Sequence, residues 1–254
     1  MMLLTDRAEG GDIYEDLYDQ FDAIAKDENM TDLLIGIIRT HVAEIYSPPR
    51  ITELAKEFDM LPGFALDITV NDYDGKPWDF DNMMMRKRCK NKIRTERPHL
   101  LVGSPMCTVF SALMNLNKDR MGPAKWEAMW AWGMRHLLFA IECYELQISL
   151  GGYILHEHPQ SATSWHVPEM VEFVAKHNLE RLNAHMCCFG LQSSDDGGVG
   201  PVKKPTGFIT NSKIIRDELS RKCDGLHRHV HLVGGRAKAA QVYPHNFAER
   251  CSMD

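Results

Sequence analysis

No stretch of the 254 residues approaches the ~18 uninterrupted apolar residues that a membrane-spanning helix requires. The first thirty residues are acidic where a secretory leader would be basic and then apolar. These absences predict a soluble, intracellular chain with no membrane partner. Seven cysteines at irregular positions lack the even, regular pattern of a secreted disulfide framework, so free thiols are expected. There is no internal repeat and no low-complexity tract. With 44% hydrophobic and 25% charged residues, the expectation is one large domain with a substantial core.

Positive charge is in deficit overall, with a net charge of -6, which at first argues against nucleic acid. The deficit is local: residues 1-34 hold ten acidic and two basic residues, net -8, and the remainder is +2. That remainder carries a basic run, Arg86, Lys87, Arg88, Lys90, Lys92, Arg94 and Arg97. A looser cluster follows at Lys203, Lys204, Lys213, Arg216, Arg221 and Lys222. Phosphate contact is one reading of these runs and a solvated helix face is the other.

Ile13, Leu17, Phe21 and Ile24 recur at helical spacing on an acidic background, predicting an amphipathic helix in an amino-terminal segment, 1-40, set apart from a domain over 41-254. A further apolar segment, 33-38, precedes a strand over 41-46 that runs into Ser47-Pro48-Pro49-Arg50. Residues 51-58 read as helix, and 64-68 as a buried strand with Asp67 near its end. The basic segment 83-97 reads as helix, 99-102 as strand, and 124-150 as a long helix closed by Gly151-Gly152. Trp126, Trp130, Leu137, Leu138, Ile141 and Ile148 give that helix a core-facing stripe. A strand at 153-155, a helix at 169-177 after Pro168, a strand at 182-187 and a loop at 193-198 complete the pattern. This alternation predicts an α/β fold with a doubly wound, largely parallel sheet.

Ligands of open parallel sheets sit beyond the carboxyl ends of the strands. Two of those places are chemically unusual here. After Val102 comes Gly103-Ser104-Pro105-Met106-Cys107, a tight loop presenting a thiol. Taken alone, such a cysteine is ordinarily a small core residue; as a nucleophile it needs partial exposure and a positive neighbourhood. After Leu155 comes His156-Glu157-His158-Pro159, which supplies a carboxylate as general acid. Consecutive strand residues point to opposite faces, so these three do not readily share one metal ion. Cys223, His227, His229 and His231 are a better zinc candidate by composition, with the histidines alternating onto one strand face. Their spacing matches no standard zinc module, and packed or solvated histidines are the preferred reading; no metal is expected.

Read together, Gly103-Ser104-Pro105-Met106-Cys107-Thr108-Val109-Phe110-Ser111 resembles the Gly-Ser-Pro-Pro-Cys-x-x-Phe-Ser loop of cytosine-5 nucleic-acid methyltransferases. Leu155 to Pro159 resembles that family's Glu-Asn-Val/Pro strand end, with Glu157 at the acid. The resemblance implies a Rossmann-like sheet of the class I S-adenosylmethionine-dependent type, with S-adenosyl-L-methionine as cofactor and DNA as partner. It implies Cys107 as the nucleophile that adds to cytosine C6 and Glu157 as the acid at N3, on a base taken out of the stack. It further implies cofactor contacts from Tyr46, Ser47, Asp67, Asp79, Pro105 and Gln241, and nucleic-acid contacts from Arg50, Ser111, Lys203 and Lys204. Ser47-Pro48-Pro49-Arg50, Gly103-Ser104-Pro105-Met106-Cys107, His156-Glu157-His158-Pro159 and the segment Lys204 to Asn211 also resemble methyltransferase-like domains of protist and algal retroelement-type polyproteins. Ala240 to Pro244 resembles the closing motif, so the likeness spans about residues 42-250.

The chain departs from the family at three places. Pro48 and Pro49 stand where a glycine-rich turn lets the cofactor approach the backbone. The Gln-x-Arg-x-Arg segment has no clean counterpart, with Lys203-Lys204-Pro205-Thr206 as a stand-in followed by Gly207. About fifty residues separate Gly190 from the closing motif, too few for a separate target-recognition region. A catalytically inactive nucleic-acid-binding module that keeps the fold is therefore the second expectation, and a metal-dependent or structural role the third.

Overall fold

Strands Val42–Ile45 (β1) and Leu100–Gly103 (β3) are buried along their whole length, as strands covered on both faces must be. They are neighbouring interior strands of a six-stranded sheet in the order β2-β1-β3-β4-β8-β5, where β2 is Pro62–Leu66, β4 Tyr153–Pro159, β5 Glu180–His185 and β8 Pro205–Thr210. A computed structural model describes residues 40-233, 236, 240 and 242-251, and the structural statements below concern these. They belong to one compact unit that begins at Thr40. The amino-terminal helix and apolar segment expected over 12-27 and 33-38, and Gln241, lie outside the described residues.

Neighbours from β2 to β4 pair in parallel, while β8 runs antiparallel to both β4 and β5. The fold is thus α/β with a mixed, mostly parallel central sheet flanked by helices, compatible with a Rossmann-like architecture. Alternate strand residues feed two apolar layers. Ala43, Ile45, Leu101 and Ile154 pack under one, and Val42, Leu100, Val102 and Leu155 under the other.

The helices follow from local chemistry. Ile51–Leu54 (α1) passes into a single tighter turn at Ala55–Phe58. Met83–Glu96 (α2) starts at Asn82, whose side chain accepts from the Met84 N–H, and buries only Met85, Cys89 and Ile93, a four-residue spacing. Its basic face is largely paired: Arg88 meets Asp72 at 2.7 Å, Lys90 meets Glu142 at 2.9 Å and Lys92 meets Glu96 at 2.8 Å. Ala112–Met121 (α3) precedes the long helix Pro123–Ser149 (α4), which has proline in its first turn. Pro168–Lys176 (α5), Lys213–Leu219 (α6) and His245–Cys251 (α7) complete the set. No described helix is long and apolar enough to cross a membrane.

Several sequence expectations shift. Of the expected stripe on α4, Leu137 is fully buried and Trp126, Trp130, Ile141 and Ile148 pack against the core half-buried, but the fully buried face also takes in His136, Ala140, Cys143, Tyr144 and Gln147, to one side of that stripe. One polar atom of each of His136, Tyr144 and Gln147 has a partner inside, so a hydropathy pattern underrates this face: Gln147 Nε2 donates to the Pro98 carbonyl at 2.6 Å. The strand at 182-187 lies two residues earlier, because Met186–Phe189 winds into a 3-10 turn. Residues 192-201 form a hairpin, Gln192–Asp195 (β6) with Gly198–Pro201 (β7), where a loop was expected. Residues 227-231 are not a strand. β8 was not anticipated as a strand; Asn211 just after it secures the register by accepting from the Ile154 N–H at 2.8 Å and donating to the Gly152 carbonyl at 3.1 Å.

Candidate active site at the carboxyl ends of the central strands

After β1 the chain moves outward to β2 and then returns past β1 to β3, so the switch in strand order falls between β1 and β3. In such sheets the ligand crevice opens at the carboxyl ends of the two strands flanking the switch. Tyr46 and Ser47 follow β1 there, and Ser104 follows β3, with its N–H on the Ile45 carbonyl at 3.3 Å.

The turn after β1 is built around a buried carboxylate. Glu44 Oε1 accepts from the Arg50 N–H (2.9 Å), the Thr52 N–H (2.8 Å) and Thr52 Oγ1 (2.8 Å), and Oε2 accepts from Ser47 Oγ (2.8 Å). Ser47 is buried and its hydroxyl is engaged in holding the turn. Tyr46 adopts φ 59°, the left-handed conformation a glycine would take without strain. It is fixed by its N–H on the Leu66 carbonyl at 2.8 Å and its hydroxyl against His136 Nδ1 at 3.0 Å. Burial pushes the Tyr46 phenol well above its ordinary range. Asp67 follows β2 and is half-buried; Oδ1 accepts from the Thr69 N–H at 2.9 Å, and Oδ2 has no partner among the described residues. Asp79 accepts from the Asp81 N–H at 2.9 Å in the loop leading to α2.

The last residue of β3, where the chain leaves the sheet, must be glycine. A Cβ on Gly103 would stand 2.0 Å from the hydroxyl oxygen of Tyr144. That fully buried tyrosine on α4 bonds His156 Nδ1 at 3.0 Å. Pro105 is held by His158, whose Nε2 lies 2.9 Å from the Pro105 carbonyl, while Nδ1 lies 2.6 Å from Ser164 Oγ. A carbonyl can only accept, so Nε2 carries a proton; burial disfavours a second one, which leaves Nδ1 to receive the Ser164 hydroxyl. Burial pushes both His156 and His158 below their ordinary pKa, in agreement.

Cys107 emerges from this clamped loop half-buried. Its thiol is pushed up, first by burial and then by the negative charge of Glu157, against a smaller opposing pull from Lys204. Glu157 lies on the opposite face of β4 from His156 and His158 and remains partly accessible. Lys204 Nζ is 3.7 Å from Glu157 Oε1 and 5.4 Å from the centre of the Tyr243 ring. Tyr243 Oη meets Ser104 Oγ at 3.2 Å. The thiol, carboxylate, ammonium and phenol therefore occupy one neighbourhood at the ends of β3 and β4. The charges can fix a planar heterocycle beside the sulfur, and proton transfer is available at the carboxylate.

Not every sequence-predicted residue joins this group. Lys204, expected on nucleic acid, faces Glu157 from the lead into β8, whereas Lys203 is exposed. Ser111 caps α3, accepting from the Met114 N–H at 3.2 Å and donating to the Thr108 carbonyl at 2.8 Å. Arg50 is half-buried, and its positive charge bears on Tyr243. Sequence reasoning missed Tyr243, Ser104, Tyr144 and the positioning role of His158. Ser104 and Tyr243 stood inside the motifs at 103-111 and 240-244 without a role of their own, and alternation in His156-Glu157-His158 places both rings opposite Glu157.

No protein-family model matches the chain, and no curated protein matches it.

Proposed function

We propose that this chain is an S-adenosylmethionine-dependent methyltransferase acting on C5 of cytosine in DNA, with Cys107 as nucleophile and Glu157 as acid. The observation that supports this most is that Cys107 follows β3 and Glu157 lies on the neighbouring parallel strand β4, close enough for each to bear on the other's charge, with Lys204 Nζ 3.7 Å from the carboxylate. Cytosine is a poor carbon nucleophile. Addition of the Cys107 sulfur to C6 relieves this: the S–C6 bond forms, electron density moves toward N3, and Glu157 holds the proton there. The resting thiol is protonated, so its proton passes to the Glu157 carboxylate as the base enters and from there to N3 as the C5=C6 electron pair shifts, and Lys204 is the nearby cation that favours the transient thiolate. The His158 contact to Pro105 keeps the loop from drifting, which preserves the approach of sulfur to ring.

When bound, the cofactor supplies an electrophilic methyl group. The residues present fit its sugar end: Asp67, just past β2, keeps a carboxylate oxygen free for ribose hydroxyls. A duplex containing 5-fluorocytosine, incubated with the full chain and S-adenosylmethionine, is expected to give a covalent adduct, stable to denaturation, that Cys107→Ser abolishes. Adduct formation in Cys107→Ser, or none with wild type under saturating cofactor, overturns the assignment.

One observation favours a second reading, a nucleic-acid-binding module without catalysis. In the turn after β1, Pro48 and Pro49 carry no N–H, and those of Tyr46, Arg50 and Thr52 are spent within the protein. Calorimetric titration with S-adenosylmethionine separates the two, since the module binds none.

A further inference from the structure

Away from the site above, four nitrogen and sulfur ligands converge on a single point. Cys187 lies in the 3-10 turn that closes β5, and Cys223, His227 and His229 come from segment 220-233, which contains neither helix nor strand. Their ligand atoms all lie within 4.8 Å of one another. Cys223 Sγ is 3.5 Å from His227 Nε2 and 3.4 Å from His229 Nε2. Metal–ligand bonds of about 2.3 Å to sulfur and 2.0–2.1 Å to nitrogen, at tetrahedral angles, set a sulfur-to-nitrogen edge of about 3.5 Å. Two edges of the group thus already have the length an ion would impose.

We propose that Cys187, Cys223, His227 and His229 form a closed tetrahedral site for a structural zinc ion. The donor set is soft sulfur and imidazole, which selects zinc over calcium or magnesium. Four protein ligands leave no open position for a substrate, which makes the site structural. All the cysteines involved are free of disulfides.

The surroundings match what such a site needs beyond its ligands. The Gly225 N–H donates to Cys223 Sγ at 3.3 Å, and Gly225 makes this turn at φ +80°. The Cys223 N–H is anchored on His185 Nδ1 at 2.9 Å. On the far side of the His227 ring, Asp224 Oδ1 lies 4.0 Å from Nδ1, beyond hydrogen-bond distance, and accepts from the Leu226 N–H at 2.9 Å, which fixes the turn that carries His227. His231 is not in the group. Composition alone could not identify the site, because the fourth ligand comes from the end of β5.

The ion has a clear mechanical role. At its start segment 220-233 meets the end of β5 through the Cys223 N–H on His185 Nδ1 and the His185 N–H on the Arg221 carbonyl (3.0 Å); farther along it is held by the Val230 N–H on the Pro201 carbonyl (2.9 Å) and by Arg228 on Asp195 (2.8 Å), both on the β6–β7 hairpin. Zinc would close the chain between Cys187 and Cys223 and fasten this segment to the sheet. The Met186 N–H also meets the Lys203 carbonyl at 2.7 Å, so the same staple steadies the backbone next to Lys204.

The test is metal analysis of the full chain by plasma mass spectrometry after gel filtration under reducing conditions. About one zinc per chain is expected. Cobalt replacing it should show the intense visible bands of a tetrahedral ion together with thiolate charge transfer. Cys223→Ser and His229→Ala should lose the metal, whereas His231→Ala and Cys107→Ser should keep it. The cobalt titration on wild-type protein does not depend on any variant folding. Absence of both zinc and a tetrahedral cobalt spectrum overturns the proposal, as does full retention of metal in Cys223→Ser. Neither result bears on Cys107 chemistry.

Discussion

Replacing Gly103 by alanine tests whether this glycine serves packing rather than turn formation. The added Cβ would meet Tyr144 at 2.0 Å from the hydroxyl oxygen and at 2.8 and 2.9 Å from two ring carbons. Tyr144 is fully buried on α4, packed against Phe173 and His156, so the ring has nowhere to swing. Forcing one carbon into a filled core costs about 1–3 kcal/mol. Displacing the hydroxyl also strips His156 of its bond at Nδ1 while Nε2 already lacks a partner, which adds about 1–3 kcal/mol. The expected loss is about 4 kcal/mol, a large share of the ~5–15 kcal/mol that holds a domain folded. Urea unfolding followed by tryptophan fluorescence measures it as a shift in midpoint at unchanged slope. Tyr144→Phe removes the nearest atom but leaves the carbon contacts. The double variant should therefore recover about 1–2 kcal/mol of the summed single losses. A Gly103→Ala protein within about 0.5 kcal/mol of wild type, or strict additivity with Tyr144→Phe, would refute the reasoning.

Glu44→Ala should destabilise the protein by about 3–5 kcal/mol, because three donors converge on one carboxylate oxygen and a hydroxyl on the other. Chemical denaturation checks this, and Glu44→Gln should cost less since it keeps one acceptor oxygen. Stability should also fall with acid. His156 and His158 titrate in the folded state below the ordinary value of about 6.5, so the unfolded chain binds protons first. Their contribution is complete above about pH 6.5 and is lost progressively below it. Denaturation midpoints measured across that range should drop toward acid, less steeply in His156→Gln; a midpoint that rises on acidification would count against buried neutral imidazoles.

Much of the sheet was legible from the residues. Fully buried runs such as Leu100 to Val102 declare themselves by hydrophobicity, and α5 by the proline at its start. β8 was not, because Thr206 and Gly207 dilute its apolar character and its burial depends on β4 and β5 closing around it. The face of α4 was misjudged for a related reason: His136, Tyr144 and Gln147 are buried through partners on distant elements, which hydropathy does not register.

The sequence by itself determined that a thiol follows one central strand, since strand ends and loop residues are local properties, and that a carboxylate comes with the next, although that strand runs on to Pro159 and carries Glu157 within it. It also determined that Pro48 and Pro49 deprive the first turn of donors. Only the tertiary structure decided that Lys204 turns toward Glu157, that Tyr144 excludes any side chain at position 103, and that Cys187 joins Cys223, His227 and His229. These are juxtapositions across the sheet and between remote segments. Their energies depend on distance in space, and spacing along the chain carries no record of it.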